Sequence, residues 1–190
     1  MEREVAQEVE QEEAERAPRV VAGVSGSLGS LTALHRAAVE ARRSGAELWA
    51  VLAWAPPGGE LGHRGPPAPA ILAECRRVAG ERLLLALDAA FGPAVPGVRL
   101  EGVVVRGTPG AALVDIADGP DDLMVLGAGS RGRLRRALRP SVSRYCLAHA
   151  ACPVLAVPPS PLQHEIDVVH RRIAWRAPVD LRELTDRGTP

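Results

Sequence analysis

The sequence predicts an α/β fold: an open sheet of five parallel strands with helices on both faces. Three observations predict it. Short apolar runs alternate with helical patterns along the chain, and strands in such alternation pair in parallel through helical crossovers. The run at 123–126 is continuously apolar, as a strand buried on both faces is. Two loops rich in Gly and Ser follow the first and fourth runs, where open α/β sheets bind ligands beyond their strand C-termini.

The elements follow in order. Residues 19–24 form the first strand, and the Gly- and Ser-rich run 23–30 ends it. A helix comes next with Leu31, Leu34, Ala38 and Ala41 on one face, and Gly45 serves as its C-cap. Residues 47–55 give the second strand. The Pro- and Gly-rich stretch 56–69 is a loop long enough for a lid or a plain surface excursion. The helix after it carries Ile71, Leu72, Cys75, Val78, Leu85 and Leu87 and stops before Gly92 and Pro93. Residues 98–105 make the third strand, 109–117 a short helix and 123–126 the fourth strand. A helical pattern covers 141–148, and residues 152–157 supply the fifth strand, ended by Pro158 and Pro159. Right-handed crossovers leave few topologies for such an order.

A chain of 190 residues fits one domain, here 18–158, between an acidic head at 1–17 and an extension at 159–190. The head holds seven glutamates against two arginines, a balance of −5, so the remainder carries +5 within a net charge of zero. Such a head reads as a solvated helix or a disordered tail. In the extension, Ile166, Val169 and Ile173 keep a helical spacing, which suits an amphipathic helix. No window is apolar over the length of a membrane span, and the acidic start has none of the basic and apolar character of a signal peptide. The expectation is a soluble, cytoplasmic protein, with no membrane partner. Cys75, Cys146 and Cys152 are an odd, scattered set that suits a reducing compartment.

Two absences exclude whole classes. The chain has no Lys and no Asn, so all 23 basic residues are Arg. A Walker A loop, a protein kinase, a class A β-lactamase and a Schiff-base enzyme each need a lysine, and all are excluded. One Tyr and one Phe leave no stacking platform for single strands, so nucleic acid is not the expected partner. Gly23, Gly26 and Gly29 do not have the Rossmann spacing, and the second strand ends without an acid for a ribose. Ser130 sits in a variant of the nucleophile elbow, but no helix starts directly after it, and no general base stands beside the loop. Cys146, His149 and Cys152 have metal-like gaps, yet the same residues make an ordinary helix end and strand start.

The segment from the fourth strand to the next helix has the layout of a phosphate site. An apolar strand runs into a loop of glycines and arginines, and Ser141 opens a helix whose first turn presents unpaired amides and a positive dipole end. Gly127, Gly129 and Gly132 let the loop backbone approach a ligand without a Cβ in the way. Arg131, Arg133, Arg135, Arg136, Arg139 and Arg144 offer guanidinium groups for bidentate phosphate contact or form an exposed charged face.

This stretch resembles the universal stress protein family, whose nucleotide-binding members carry a Gly-x2-Gly-x9-Gly-Ser/Thr signature here. Counting from Gly127, the second glycine position is Ser130, the third is Pro140, and the hydroxyl falls on Ser141. Ser25 stands where those relatives have an Asp that contacts the nucleoside. The resemblance, which spans about residues 19–157, implies an adenine nucleotide alpha-hydrolase-like fold with strand order 3-2-1-4-5. It implies nucleotide contacts at Ser25, Val51, Gly127, Gly129, Ser130, Arg131, Gly132, Ser141, Val142 and Ser143, with ATP or ADP as ligand, with or without magnesium. Relatives dimerise along the last strand, so a homodimer is expected there. Two functions stay open: a regulatory ATP/ADP-binding stress protein, or a dimeric interaction module of the same family that binds no nucleotide.

Overall fold

The computed structural model describes residues 17–57, 68–93, 96–128 and 141–158. The acidic head through residue 16, the loop 58–67 and the extension 159–190 lie outside them.

Among the described residues, nine elements alternate: β1 (Arg19–Gly23), α1 (Leu28–Ser44), β2 (Glu47–Trp54), α2 (Pro69–Phe91), β3 (Leu100–Arg106), α3 (Pro109–Ile116), β4 (Leu123–Gly127), α4 (Val142–His149) and β5 (Val154–Val157). The strands form one sheet in the order β3-β2-β1-β4-β5, and all four pairings are parallel. Alternate residues of β1 then face opposite layers. Val20 and Ala22 join the core under α1 and α2, while Val21 joins the core under α3 and α4. That alternation follows from the two-residue period of a strand and is why β1 is apolar throughout.

Helix α1 carries a stripe of Ala33, Leu34, Ala37, Ala38 and Ala41, all buried. Its ends are set by sequence. Ser27 is the N-cap and accepts from the Ser30 amide, and Gly45 is the C-cap with φ 69°, a left-handed value that glycine adopts without strain.

Helix α2 differs from the apolar set read from its sequence. It buries Ala79, Leu83, Ala86 and Ala90, whereas Ile71 is 48% exposed, Val78 is 40% exposed and Leu85 is 68% exposed. Of that set, Leu87 packs against the core. Small alanines let the helix come close to the sheet, so the buried stripe follows size as well as apolarity. All of the buried positions fall at or after Ala79, so the first ten residues of α2 run on past the core.

At the N-terminal ends of the strands, Arg19 is 7% exposed and closes that side of the sheet. Its guanidinium donates to Asp122 at 2.6 and 3.1 Å, to Asp118 at 2.9 Å and to the Ile116 carbonyl at 2.7 Å. It also stacks 4.7 Å over the Trp49 ring. The Asp122 hydrogen bond is the largest cause that raises the Arg19 pKa. Among the described residues, no helix is long and apolar enough to cross a membrane.

Candidate functional site

The strand ladders diverge at the C-terminal side of the sheet. Pairing of β1 with β4 ends at Ala22 opposite Val125, whereas β1 runs on with β2 to Gly23 opposite Val51. On the other side, β4 runs on with β5 to Gly127 opposite Val157, and the Ala128 amide donates to the Val157 carbonyl at 2.7 Å. A crevice therefore opens between β1 and β4, where the chain leaves one strand for each side of the sheet. Its cavity measures about 670 Å³.

Ser25, Val51, Gly127, Ser141, Val142 and Ser143 all line this cavity, so six of the residues singled out in the sequence come together. Gly129, Ser130, Arg131, Gly132 and Pro140 lie outside the described residues, as do Arg133, Arg135, Arg136 and Arg139. Arg144 is described, and it is exposed and does not line the cavity.

The role expected of Gly127 changes with the geometry. A Cβ at this position would stand 2.7 Å from the Gly29 carbonyl oxygen and 3.5 Å from the Ser30 amide nitrogen. Its missing side chain thus makes room for the first turn of α1.

The three serines also differ from one another. Ser143 Oγ donates to the Gly127 carbonyl at 3.0 Å and ties the first turn of α4 to the end of β4. Ser141 is the N-cap of α4 with φ −73° and ψ 123°, yet its side chain caps no amide. The first intrahelical bond runs from the Tyr145 amide to the Ser141 carbonyl, so the amides of Val142, Ser143 and Arg144 have no partner within the helix. Ser141, Val142 and Ser143 line the cavity, so this open first turn contributes donors to its wall. Ser25 is engaged within its own loop: its amide donates to Ser30 Oγ at 3.2 Å, and its hydroxyl lies 3.0 Å from Ser27 Oγ.

Ser27 and Ser30, in the Gly- and Ser-rich run 23–30, also line the wall, and among the wall residues that the sequence did not assign are Pro109 and Arg82. Ser27 had a signal, since a serine just before a helical run marks an N-cap. Pro109 opens α3, which makes it the third helix to start at this crevice. Arg82 had no local signal, because only the fold brings the middle of α2 to the cavity. It is the one charged side chain of the described wall, which contains no carboxylate. Three helix N-termini and one guanidinium therefore make the crevice electropositive.

Cys146 and Cys152 are buried, and burial is the first cause that pushes both thiols up. His149 is occupied locally, its Nδ1 lying 2.8 Å from the Tyr145 carbonyl and its ring stacking 4.2 Å from the Tyr145 ring. Among the described residues, no group of three His, Cys, Asp or Glu comes together to hold a metal.

An open parallel sheet with a crevice at its switch point defines a doubly wound α/β domain, a class whose ligands bind at that point. The model of the universal stress protein family matches residues 16–158, and the chain belongs to that family. A solved universal stress protein in complex with cAMP is 27% identical, covers 76% of this chain and 98% of its own, and superposes with a TM-score of 0.50. Universal stress protein UspA from Lactobacillus plantarum is 23% identical over 75% of this chain and 98% of that one, with a TM-score of 0.53. A family protein from Burkholderia pseudomallei is 23% identical over 76% and 97%, with a TM-score of 0.51. These last two share the fold. No curated protein matches the chain.

Proposed function

We propose that this chain is a regulatory adenine-nucleotide-binding protein, holding ATP or ADP in the crevice between β1 and β4. The observation that carries the reading is the open first turn of α4, whose Ser141 hydroxyl caps nothing and lines a cavity of about 670 Å³. That volume falls in the range of small-molecule sites. Anionic ligands bind at helix N-termini because the amides there are unpaired and the dipole favours negative charge. Val51 and Val142 supply apolar wall for a base, and the relative crystallised with cAMP supports the adenine class. With no carboxylate in the described wall, a magnesium ion would be held by the nucleotide phosphates and water. The only titratable side chain of that wall is a guanidinium, which serves as no general base, so binding without turnover fits best.

The second copy of a homodimer is assigned to β5. This strand pairs with β4 alone among the described residues, and an open strand edge is a surface for strand addition. A second reading, a dimeric module without nucleotide, draws on Ser25, whose amide and hydroxyl are engaged by Ser30 and Ser27. Native mass spectrometry separates the two. The nucleotide reading expects a dimer that gains one ATP or ADP per chain, and a dimer that takes up neither at millimolar concentration would establish the module.

A further inference from the structure

We propose that Arg82 recognises an anionic group at the α1–α2 end of the crevice, so that the site selects nucleotides carrying a ribose phosphate as well as a 5′ phosphate. The inference rests on the nucleotide reading above and names the class of nucleotide. Arg82 lines the cavity and is its one described charge. The neighbouring turns of α2 offer this arginine no acidic partner. The residues three and four positions away are Val78, Ala79, Leu85 and Ala86, none of them acidic. The two nearby glutamates, Glu74 and Glu81, are both bound by Arg77. No carboxylate among the described residues is paired with Arg82. An arginine fork in a concavity whose described wall holds no acid matches a phosphate, which it can bind through two parallel hydrogen bonds.

Position decides which phosphate. Helix α2 packs on β2, β3 and α1, whereas Ser141 opens α4 beside β4 and β5. In the sheet order, β2 and β4 stand two strand spacings apart, about 10 Å. Arg82 and the α4 terminus thus meet a ligand from opposite ends. The first turn of α1 adds little at the Arg82 end, because Ser27 Oγ already accepts from the Ser30 amide and Ser30 Oγ donates to the Ser27 carbonyl. A nucleotide with all its phosphates on the 5′ carbon satisfies the α4 end and leaves Arg82 without an anion. One with a further phosphate on the ribose satisfies both.

ADP and adenosine 3′,5′-bisphosphate make the comparison cleanly, since they share base, sugar and phosphate count and differ in where the second phosphate sits. Calorimetric titration of both into the full chain, Arg82→Gln and Arg76→Gln tests the assignment. Arg76 is exposed, as Arg82 is, but does not line the cavity, and its variant controls for general charge. The wild type is expected to bind the bisphosphate at least about tenfold more tightly than ADP, the size of one charge-assisted contact. Arg82→Gln removes that preference and leaves ADP within about threefold of wild type, while Arg76→Gln keeps the preference. Equal affinities in the wild type, or a preference that survives Arg82→Gln, would overturn the role of Arg82. ADP binding without the preference sinks only this inference, whereas binding of neither ligand sinks the nucleotide reading with it.

Discussion

Gly127 at the end of β4 and Gly29 in the first turn of α1 are in direct backbone contact: a Cβ on Gly127 would lie 2.7 Å from the Gly29 carbonyl oxygen. This approach sets the crevice, because it fixes the start of α1 against the tip of β4 at the point where the β1–β4 ladder has ended. Backbone at both sides of the contact leaves no flexible side chain to yield. Gly127→Ala is therefore expected to destabilise the fold by about 1–3 kcal/mol, the usual cost of overpacking. Chemical denaturation of ligand-free protein checks it, and an unchanged midpoint would show that α1 can shift freely.

Ser141 and Ser143, two residues apart, are expected to respond oppositely to loss of the hydroxyl. Ser143→Ala removes the bond to the Gly127 carbonyl and should cost about 0.5–1.5 kcal/mol of stability. Ser141→Ala removes no cap bond, so ligand-free stability should hold, while nucleotide affinity falls by about 0.5–3 kcal/mol. Melting curves with and without ADP distinguish the two. Equal stability losses in both variants would place Ser141 in the helix rather than in the site.

The sequence reading succeeded where a local rule decides. Alternation of apolar strands with helices gives the parallel sheet, Gly45 gives the end of α1, and the glycine and serine loops mark the crevice. It failed where contact geometry decides. Ile71, Val78 and Leu85 are apolar yet stay exposed, because Ala79, Leu83, Ala86 and Ala90 allow the closer approach to the sheet. Gly127 also packs against α1, a contact visible only once Gly29 is seen beside it. Arg82 is distant in sequence from every other residue of the crevice, so no spacing could have assigned it.

The pair Arg19–Asp122 should carry much of the stability at the end of the sheet opposite the crevice. Asp122 also accepts from the Gly119 amide at 3.1 Å, and it is 3% exposed. Asp122→Ala leaves a buried guanidinium without its main partner, for which the expected cost is about 3–5 kcal/mol. A loss below about 1 kcal/mol by urea denaturation would mean that Asp118, Ile116 and water replace the lost acceptor.

Thiol labelling should separate the cysteines by burial. Cys75 is partly exposed, whereas Cys146 and Cys152 are buried and their thiols are pushed up from the ordinary value, mainly by desolvation. Native protein at neutral pH should label at Cys75 alone, and all three should label after unfolding. The sign of the shift also sets a pH dependence. A thiol that holds its proton more tightly in the folded state contributes stability below the ordinary thiol pKa, and that contribution is lost as pH rises past it. Stability should fall above about pH 9 and be insensitive to these thiols below about pH 8. Native labelling of Cys146 at neutral pH would contradict the packing of α4 on α3.

Titration calorimetry of ATP and ADP into the full chain, paired with thermal melting, tests the central claim most directly. The account predicts saturable binding at one site per chain. It also predicts stabilisation by about 2.7 kcal/mol when free nucleotide stands at a hundred times its Kd. No heat of binding and an unmoved melting temperature at millimolar nucleotide, with and without magnesium, would contradict it.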